Sequence, residues 1–236
     1  MTKYLFALCC LVLISLGGCA TTTSSGIDPF ELTNRRINAF NENLDQKVVK
    51  PVATTYKDYT PEFIQRGVGN FFGNLRDLWS TVNNGLQLKP KETLETGVRV
   101  LVNSTIGIYG LIDFATPIGF QRHSADFGQT LGYWGTPSGP YLVLPILGPS
   151  TVRDASALLV DRQGDLLGQV HPIITRNQGT VLRLIDKRSS YIGYDDRLDE
   201  MALDKYTFVR DAYLQRRASQ TRRGAGSDED AASKVE

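Results

Sequence analysis

Catalytic side chains are scarce in this chain. Its 236 residues include only three cysteines and two histidines. Cys9, Cys10 and Cys19 all belong to the first nineteen residues, in or directly after an apolar leader. Once that leader is cleaved, neither an intramolecular disulfide nor a cysteine metal centre can form, even in an oxidising compartment. His123 and His171 are left for all imidazole chemistry. No G-x-S-x-G elbow, H-E-x-x-H pair or Walker loop occurs. A charge bias is missing too. The 26 basic and 25 acidic residues become 25 and 25 when Lys3 leaves, which gives no global attraction to nucleic acid. Sustained two-residue alternation of apolar and polar side chains is also absent, so the expected class is all-α.

What is present starts with the leader. Lys3 precedes the apolar run Tyr4 to Leu16, and Leu16-Gly17-Gly18-Cys19 follows. The run is too short to cross a bilayer comfortably, and the small residues before cysteine read as the cleavage site of a bacterial lipoprotein signal peptide. Residues 1–18 are therefore expected to be removed and Cys19 to be acylated. Each buried methylene of the acyl chains contributes about 0.8 kcal/mol of anchorage. No aspartate follows Cys19, which favours the outer membrane, on its periplasmic face. Residues 19–27 are rich in Thr, Ser and Gly and read as a flexible tether.

Ordered structure is expected over 28–217. Asp28-Pro29-Phe30-Glu31 combines a capping acid, a first-turn proline and a first-turn acid. Phe30, Ile37, Phe40, Leu44 and Val48 then share one helical stripe, with Pro51 as its expected interruption. Thr60-Pro61-Glu62 repeats the start signal before a broad apolar face from Phe63 to Val82. Gly69 and Gly73 sit four apart on that helix and predict close helix approach. Lys89-Pro90 opens a third helix with Leu94, Val98, Leu101, Val102 and Thr105 in register, and Gly107 is its expected stop. Helical patterns return over Thr180–Arg188 and Leu198–Arg217. From Ala218 to Glu236 the chain is polar and aperiodic, which reads as a disordered tail.

The middle of the chain fits none of these patterns. From Phe127 to Val152 there is no charged residue, yet Gly and Pro recur throughout. A spanning helix would not tolerate so many breakers. A surface loop would not be crowded by Tyr133, Trp134, Tyr141, Leu142, Val143, Leu144, Ile146 and Leu147. Two readings stand: a buried core loop, or backbone held by protein at membrane depth with its aromatics at the interface.

Apparent motifs elsewhere have structural explanations. Asp126-Phe127-Gly128 spells a kinase metal-binding tripeptide, but none of its accompanying motifs is present. His171, beside Pro172 and among apolar residues, reads as packed or capping. His123, Ser124 and Asp126 are too close in sequence for triad geometry. Arg35-Arg36 and Arg216-Arg217 either meet phospholipid headgroups or simply solvate a helix face. Asn103, Ser104 and Thr105 either line a wet path or cap and bend their helix.

Several stretches, taken in order, resemble one family. They are Asp28-Pro29-Phe30-Glu31 with Asn34-Arg35, and Asn70-Phe71-Phe72-Gly73-Asn74-Leu75. Asp126 to Gly132, Gly139 to Pro145 and Gly148 to Asp154 are the most specific, and Tyr206 to Arg217 completes the set. Across its expected ordered length the chain resembles the MlaA (VacJ) outer-membrane lipoproteins. That resemblance implies a ring-shaped arrangement of amphipathic helices embedded in the inner leaflet of the outer membrane. It implies passage of misplaced phospholipid from the outer leaflet through an amphipathic channel to a soluble MlaC-type carrier. It also implies a trimeric porin as neighbour, with no cofactor and no metal. Under it, Phe40, Phe71, Phe72, Trp79, Tyr133, Trp134, Tyr141, Leu142, Leu144, Ile146 and Leu147 are candidates for the membrane rim or channel wall. Asn103, Ser104 and Thr105 are candidates for its polar lining. A membrane-tethered phospholipase and a lipoprotein that only braces porins are the alternatives.

Overall fold

Pro29, Pro61 and Pro90 each stand at the head of a helix, where a missing amide proton costs nothing. The structure, a computed structural model, describes residues 28–194 and 204–222. Helix α1 spans Glu31–Leu44 and α2 spans Lys50–Tyr59. The expected interruption at Pro51 is replaced by one π-helical turn, Asp45–Val49, through which the helix continues. The wider turn relieves the clash between the proline ring and the carbonyl four residues back. Helix α3 covers Glu62–Leu86 and α4 covers Pro90–Thr105, the two packing as a hairpin. Gly107 follows in a buried position, where an added Cβ would lie 2.2 Å from the Ile112 carbonyl oxygen. Only glycine fits so close to fixed backbone.

An irregular segment, 106–126, leads to the short helix α5, Phe127–Tyr133. Strand β1, Tyr141–Leu144, pairs antiparallel with β2, Gly148–Thr151, with Tyr141 opposite Thr151 and Leu144 opposite Gly148. Helix α6 follows over Val152–Gly164, then a 3-10 turn at Leu166–Gln169, α7 at Ile173–Ser189 and α8 at Lys205–Thr221. α7 packs on α2 and α3, while α8 packs on α5 and β2. The fold is predominantly helical, as expected, but the hairpin was not. Its burial alternates along Tyr141–Leu144, yet all four side chains there are apolar, so the period is invisible in the sequence. Helix α8 also runs past Ala218 to Thr221, beyond the expected start of the tail. The leader, Cys19, the tether, Leu198, Met201 and Ala202, and residues beyond 222 lie outside the described residues.

The distribution of polarity is the main finding. Among the described residues few apolar side chains are buried, and four of the nine are alanines: Ala53, Ala115, Ala125 and Ala157. The fully buried set is instead dominated by Asp28, Asn34, Asp77, Ser80, Asn83, Gln87, Thr96, Arg99, Asn103 and Thr151. On α3 the buried residues are Phe72, Gly73, Asn74, Asp77, Ser80, Asn83 and Asn84, while Phe63, Ile64, Leu78, Val82 and Leu86 are exposed. The apolar stripe of this helix, whose facing the sequence left open, points outward. In water this would reverse the usual partition, since exposed apolar area is unfavourable and buried polar groups need partners. Even so, no helix among the described residues is long and apolar enough to cross a membrane.

Candidate functional site

The interior is built from polar side chains that tie irregular backbone to helices. The first cluster joins α3 and α4 to segment 106–126. Arg99 is 1% exposed and donates from Nη1 to the Phe120 carbonyl at 2.7 Å and Thr116 Oγ1 at 2.8 Å. Its Nη2 donates to Asp113 Oδ2 at 2.9 Å, and its Nε lies 3.5 Å from Asp77 Oδ2. Arg122 donates from Nε to the same Asp77 oxygen at 3.0 Å. Burial pushes the Asp77 carboxyl up against the pull of Arg122 and Arg99. At Asp113 burial also acts upward, but hydrogen bonds from Thr116, Arg99 and Asn103 outweigh it and hold the carboxyl well below its ordinary range.

The polar stripe of α3 continues this arrangement. Asn74 donates to Ser104 Oγ at 2.8 Å, and Asn84 to the His123 carbonyl at 2.9 Å. Ser80 exchanges hydrogen bonds with the backbone of Ala125. Thr130 donates to Asn83 Oδ1 at 2.8 Å and accepts from Gln87 at 3.1 Å. Most of these buried polar groups thereby replace water with a protein partner, which makes their burial tolerable, while Asn74 Oδ1, Asp77 Oδ1 and Arg99 Nε have no hydrogen-bond partner.

A second cluster fixes α8. Asp126 caps α5 by accepting from the Gln129 amide at 2.8 Å. It also receives both terminal nitrogens of Arg217, at 2.7 and 2.9 Å. Arg217 Nε reaches Asp154 Oδ2 at 2.8 Å, where the Tyr213 hydroxyl donates as well. Burial of Asp154 would raise its pKa, but the bonds from Arg217 and Arg153 hold it down at about 2.

The third cluster holds the hairpin. Asn34 accepts from the Val143 amide at 2.9 Å and donates to the Tyr141 carbonyl at 3.1 Å. Two helical turns further on, Asn41 accepts from the Ile146 amide at 2.7 Å and donates to the Leu144 carbonyl at 2.9 Å. Two side-chain amides on α1 thus stand in for a third strand and cover an edge that would otherwise be open. Asp28, expected to cap α1, is instead buried and accepts from Asn34 and from the Tyr206 hydroxyl.

The expected site residues fall into distinct groups. Phe40, Trp134, Ile146 and Leu147 are exposed, and Ile146 has a left-handed φ of 68°. Leu88, Ile108 and Tyr109 share that conformation, and all are exposed as well. Such strain on large side chains is uncommon. Phe71, Tyr133, Leu142 and Leu144 are half-buried. Trp79 is half-buried too, its Nε1 donating to Asp161 at 2.7 Å. Phe72 and Tyr141 are corrected from rim to core. Phe72 packs edge-on against Phe71, and Tyr141 packs with Val143 and Tyr206. Asn103 is buried and its oxygen accepts from the amides of Phe114 and Ala115, so it holds a loop and lines no path. Ser104 binds Asn74, whereas Thr105 is exposed and bonds back to the Leu101 carbonyl on the outer face.

Among the described residues, neither histidine ring is hydrogen-bonded to a hydroxyl or thiol. His123 Nε2 contacts Glu95 Oε2 at 2.7 Å, and His171 is exposed, contrary to its packed or capping reading. Among the described residues, no group of three or more His, Cys, Asp or Glu side chains is placed to hold a metal ion. Asp77, Arg99, Asp113 and Asp154 were not singled out as site residues from sequence, and Asp126 and Arg217 were weighed there only in other roles. The available signal was the polar stripe Asn74, Asp77, Ser80 and Asn84 on α3, which repeats at three- and four-residue spacing.

Fold and site together define a class: a predominantly helical protein whose body is polar within and apolar without. The description "MlaA lipoprotein" matches residues 26–220. The chain belongs to the MlaA lipoprotein family. It is 35% identical over 208 residues to the "Intermembrane phospholipid transport system lipoprotein MlaA" of Escherichia coli, covering 85% of this chain and 82% of that one. The protein of the same description from Haemophilus influenzae is 33% identical over 215 residues, covering 86% and 84%. An uncharacterised Rickettsia typhi protein is 34% identical over 187 residues, covering 78% and 74%. A solved structure, described as the structural basis for maintenance of bacterial outer membrane lipid asymmetry, superposes with a TM-score of 0.73. It is 32% identical and covers 83% of this chain and 99% of that one.

Proposed function

We propose that this chain removes mislocalised phospholipids from the outer leaflet of the outer membrane without catalysing a reaction, and passes them toward the periplasm. The observation that carries this reading is the inverted amphipathy: polar groups inside, and large exposed apolar side chains on α3, α4, α7 and the 106–126 segment. An exterior of that kind is stable when hydrocarbon covers it. Helix α3 would extend about 37 Å at 1.5 Å per residue, but its polar stripe prevents it from crossing alone. A body seated in one leaflet, as a ring of amphipathic helices, accommodates both facts. Anchorage through an acylated Cys19 on the periplasmic face suits that placement, since a nine-residue tether reaches about 30 Å.

The energetic task is to move a headgroup past hydrocarbon. Polar groups stripped of water without new partners each cost several kcal/mol. A polar path beside an apolar wall offers partners to the headgroup while the tails stay in an apolar medium. No energy source is then needed at this step. A periplasmic MlaC-type carrier would receive the lipid, and a porin trimer would supply the neighbouring surface. Exposed Trp134, Ile146 and Leu147 are the rim residues proposed to face lipid.

The test is a deletion strain re-supplied with wild type or Cys19→Ala. Deletion should raise intact outer-leaflet phospholipid, and only the acylated form should reverse it, with lysophospholipid unchanged. Loss of lysophospholipid on deletion would point to a phospholipase. No change in either lipid would sink the transport reading.

A further inference from the structure

A cleft of about 280 Å³ opens where the last turns of α8 meet the carboxyl end of α5, the 135–138 loop and the start of α6. Arg153 lines it and is only 7% exposed. Its Nε donates to Asp154 Oδ1 at 2.9 Å, and its Nη1 to the Thr136 carbonyl at 3.3 Å. A Cβ at Gly132 would lie 2.5 Å from that Nη1 and 2.5 Å from Thr221 Cγ2, so glycine lets the guanidinium rest against α5. Arg217 also lines the cleft, but its three nitrogens are spent on Asp126 and Asp154.

Arg153 Nη2 differs from the other two nitrogens. It makes no hydrogen bond among the described residues, and it is not sealed from solvent. Its protons are unspent and open on the cleft. Thr136 and Ser138 line the same cleft, and their hydroxyls likewise have no hydrogen-bond partner among the described residues. A charged donor stripped of most of its water and left without an acceptor is unfavourable, and a ligand oxygen relieves that cost. The volume is at the lower edge of ligand pockets, with room for a headgroup but not for acyl chains. Trp134, proposed above to face lipid, is 54% exposed and immediately precedes Gly135 of the cleft wall.

We propose that this cleft binds a phosphate oxyanion, with Arg153 Nη2 as its charged donor and the hydroxyls of Thr136 and Ser138 beside it. Arg153 and Arg217 cancel the charges of Asp126 and Asp154, so a singly charged phosphodiester suits the cleft better than a doubly charged free phosphate. The source is then a phospholipid headgroup, an assignment that rests on the transport reading above. The headgroup would sit in the cleft while its tails stay in hydrocarbon beside Trp134.

The test uses the full mature chain in detergent micelles with inorganic phosphate, acyl-labelled phosphatidylglycerol, and diacylglycerol bearing the same label. Wild type should bind phosphatidylglycerol more tightly than diacylglycerol. Arg153→Gln should weaken phosphatidylglycerol binding roughly tenfold or more and leave diacylglycerol binding unchanged. That substitution also releases Asp154 and the Thr136 carbonyl, so the second variant is Thr136→Val with Ser138→Ala, which breaks no side-chain hydrogen bond among the described residues. It should cost roughly threefold or more at an unchanged melting temperature. Arg36→Gln is the control for a loss of surface charge alone. Phosphatidylglycerol affinity equal to wild type in both variants would overturn the site and leave the transport reading standing. Competition by inorganic phosphate as strong as that by unlabelled phosphatidylglycerol would overturn the lipid source in favour of free phosphate. Binding of phosphate but of neither lipid, lost in Arg153→Gln, would keep the oxyanion site and overturn the transport reading. Wild type that binds none of the three would overturn both.

Discussion

Leu78→Arg combined with Val82→Arg, made in a Cys19→Ala background that removes the proposed lipid anchor, is expected to strip the protein from membranes while leaving its fold intact. The two residues lie one turn apart on α3, are 40% and 46% exposed, and continue into Leu86 along the same stripe. Surface substitutions of this kind in a water-soluble protein stay within about 0.5 kcal/mol. An arginine placed in hydrocarbon costs about 2.5–3.5 kcal/mol near the centre, less where it can snorkel to the interface. Partition into vesicles should therefore fall by roughly hundredfold or more. The measurement is vesicle flotation after dilution from detergent, with thermal melting in detergent as the control. Unchanged flotation would mean that this face of α3 does not lie in lipid.

The second large effect concerns the interior. Arg99→Met should destabilise the protein by about 3–5 kcal/mol, the usual range when a buried ion pair loses one partner. The substitution keeps the bulk of the stem but leaves Asp77 fully buried without one of its two cations. Asp113, Thr116 and the Phe120 carbonyl lose their donor at the same time, so segment 106–126 loses its attachment to α4. Arg99→Lys should recover little, because one ammonium cannot match the planar fork that reaches these acceptors. Adding Asp77→Leu to Arg99→Met should recover part of the loss by removing a stranded charge. Denaturant midpoints in detergent measure all three, and a loss below about 1 kcal/mol for Arg99→Met would show that the cluster is not a structural anchor.

Helix starts were legible in the sequence because proline and acidic residues act locally. Pro90 opens α4 and Pro61 immediately precedes α3, as expected. Asp28 carried the same local signal and misled, since its carboxylate is recruited by Asn34 and Tyr206 from a distant helix. The hairpin was hidden because its strand is apolar on both faces and because Asn34 and Asn41 supply its outer hydrogen bonds. Nothing local marks either asparagine as a strand partner. Which face of α3 is buried was left open by the sequence. Periodicity locates two faces on a helix, but which one is buried depends on the surrounding medium. Asn74, Asp77, Ser80 and Asn84 form as regular a stripe as the apolar residues, and the structure buries the polar one.

Helix α3 also provides the most direct measurement, because Arg76 and Leu78 point to nearly opposite sides of it. The cleavage and acylation proposed for Cys19 would leave no free thiol, so Arg76→Cys and Leu78→Cys could each hold a single spin label in reconstituted vesicles. Collision rates with oxygen, which concentrates in hydrocarbon, and with a water-soluble nickel chelate then report the medium at each side. An apolar exterior in lipid around a wet polar interior predicts a label at 78 reached by oxygen and shielded from nickel, and the reverse at 76. Nickel access equal at both positions would contradict it, and α3 would then lie in water.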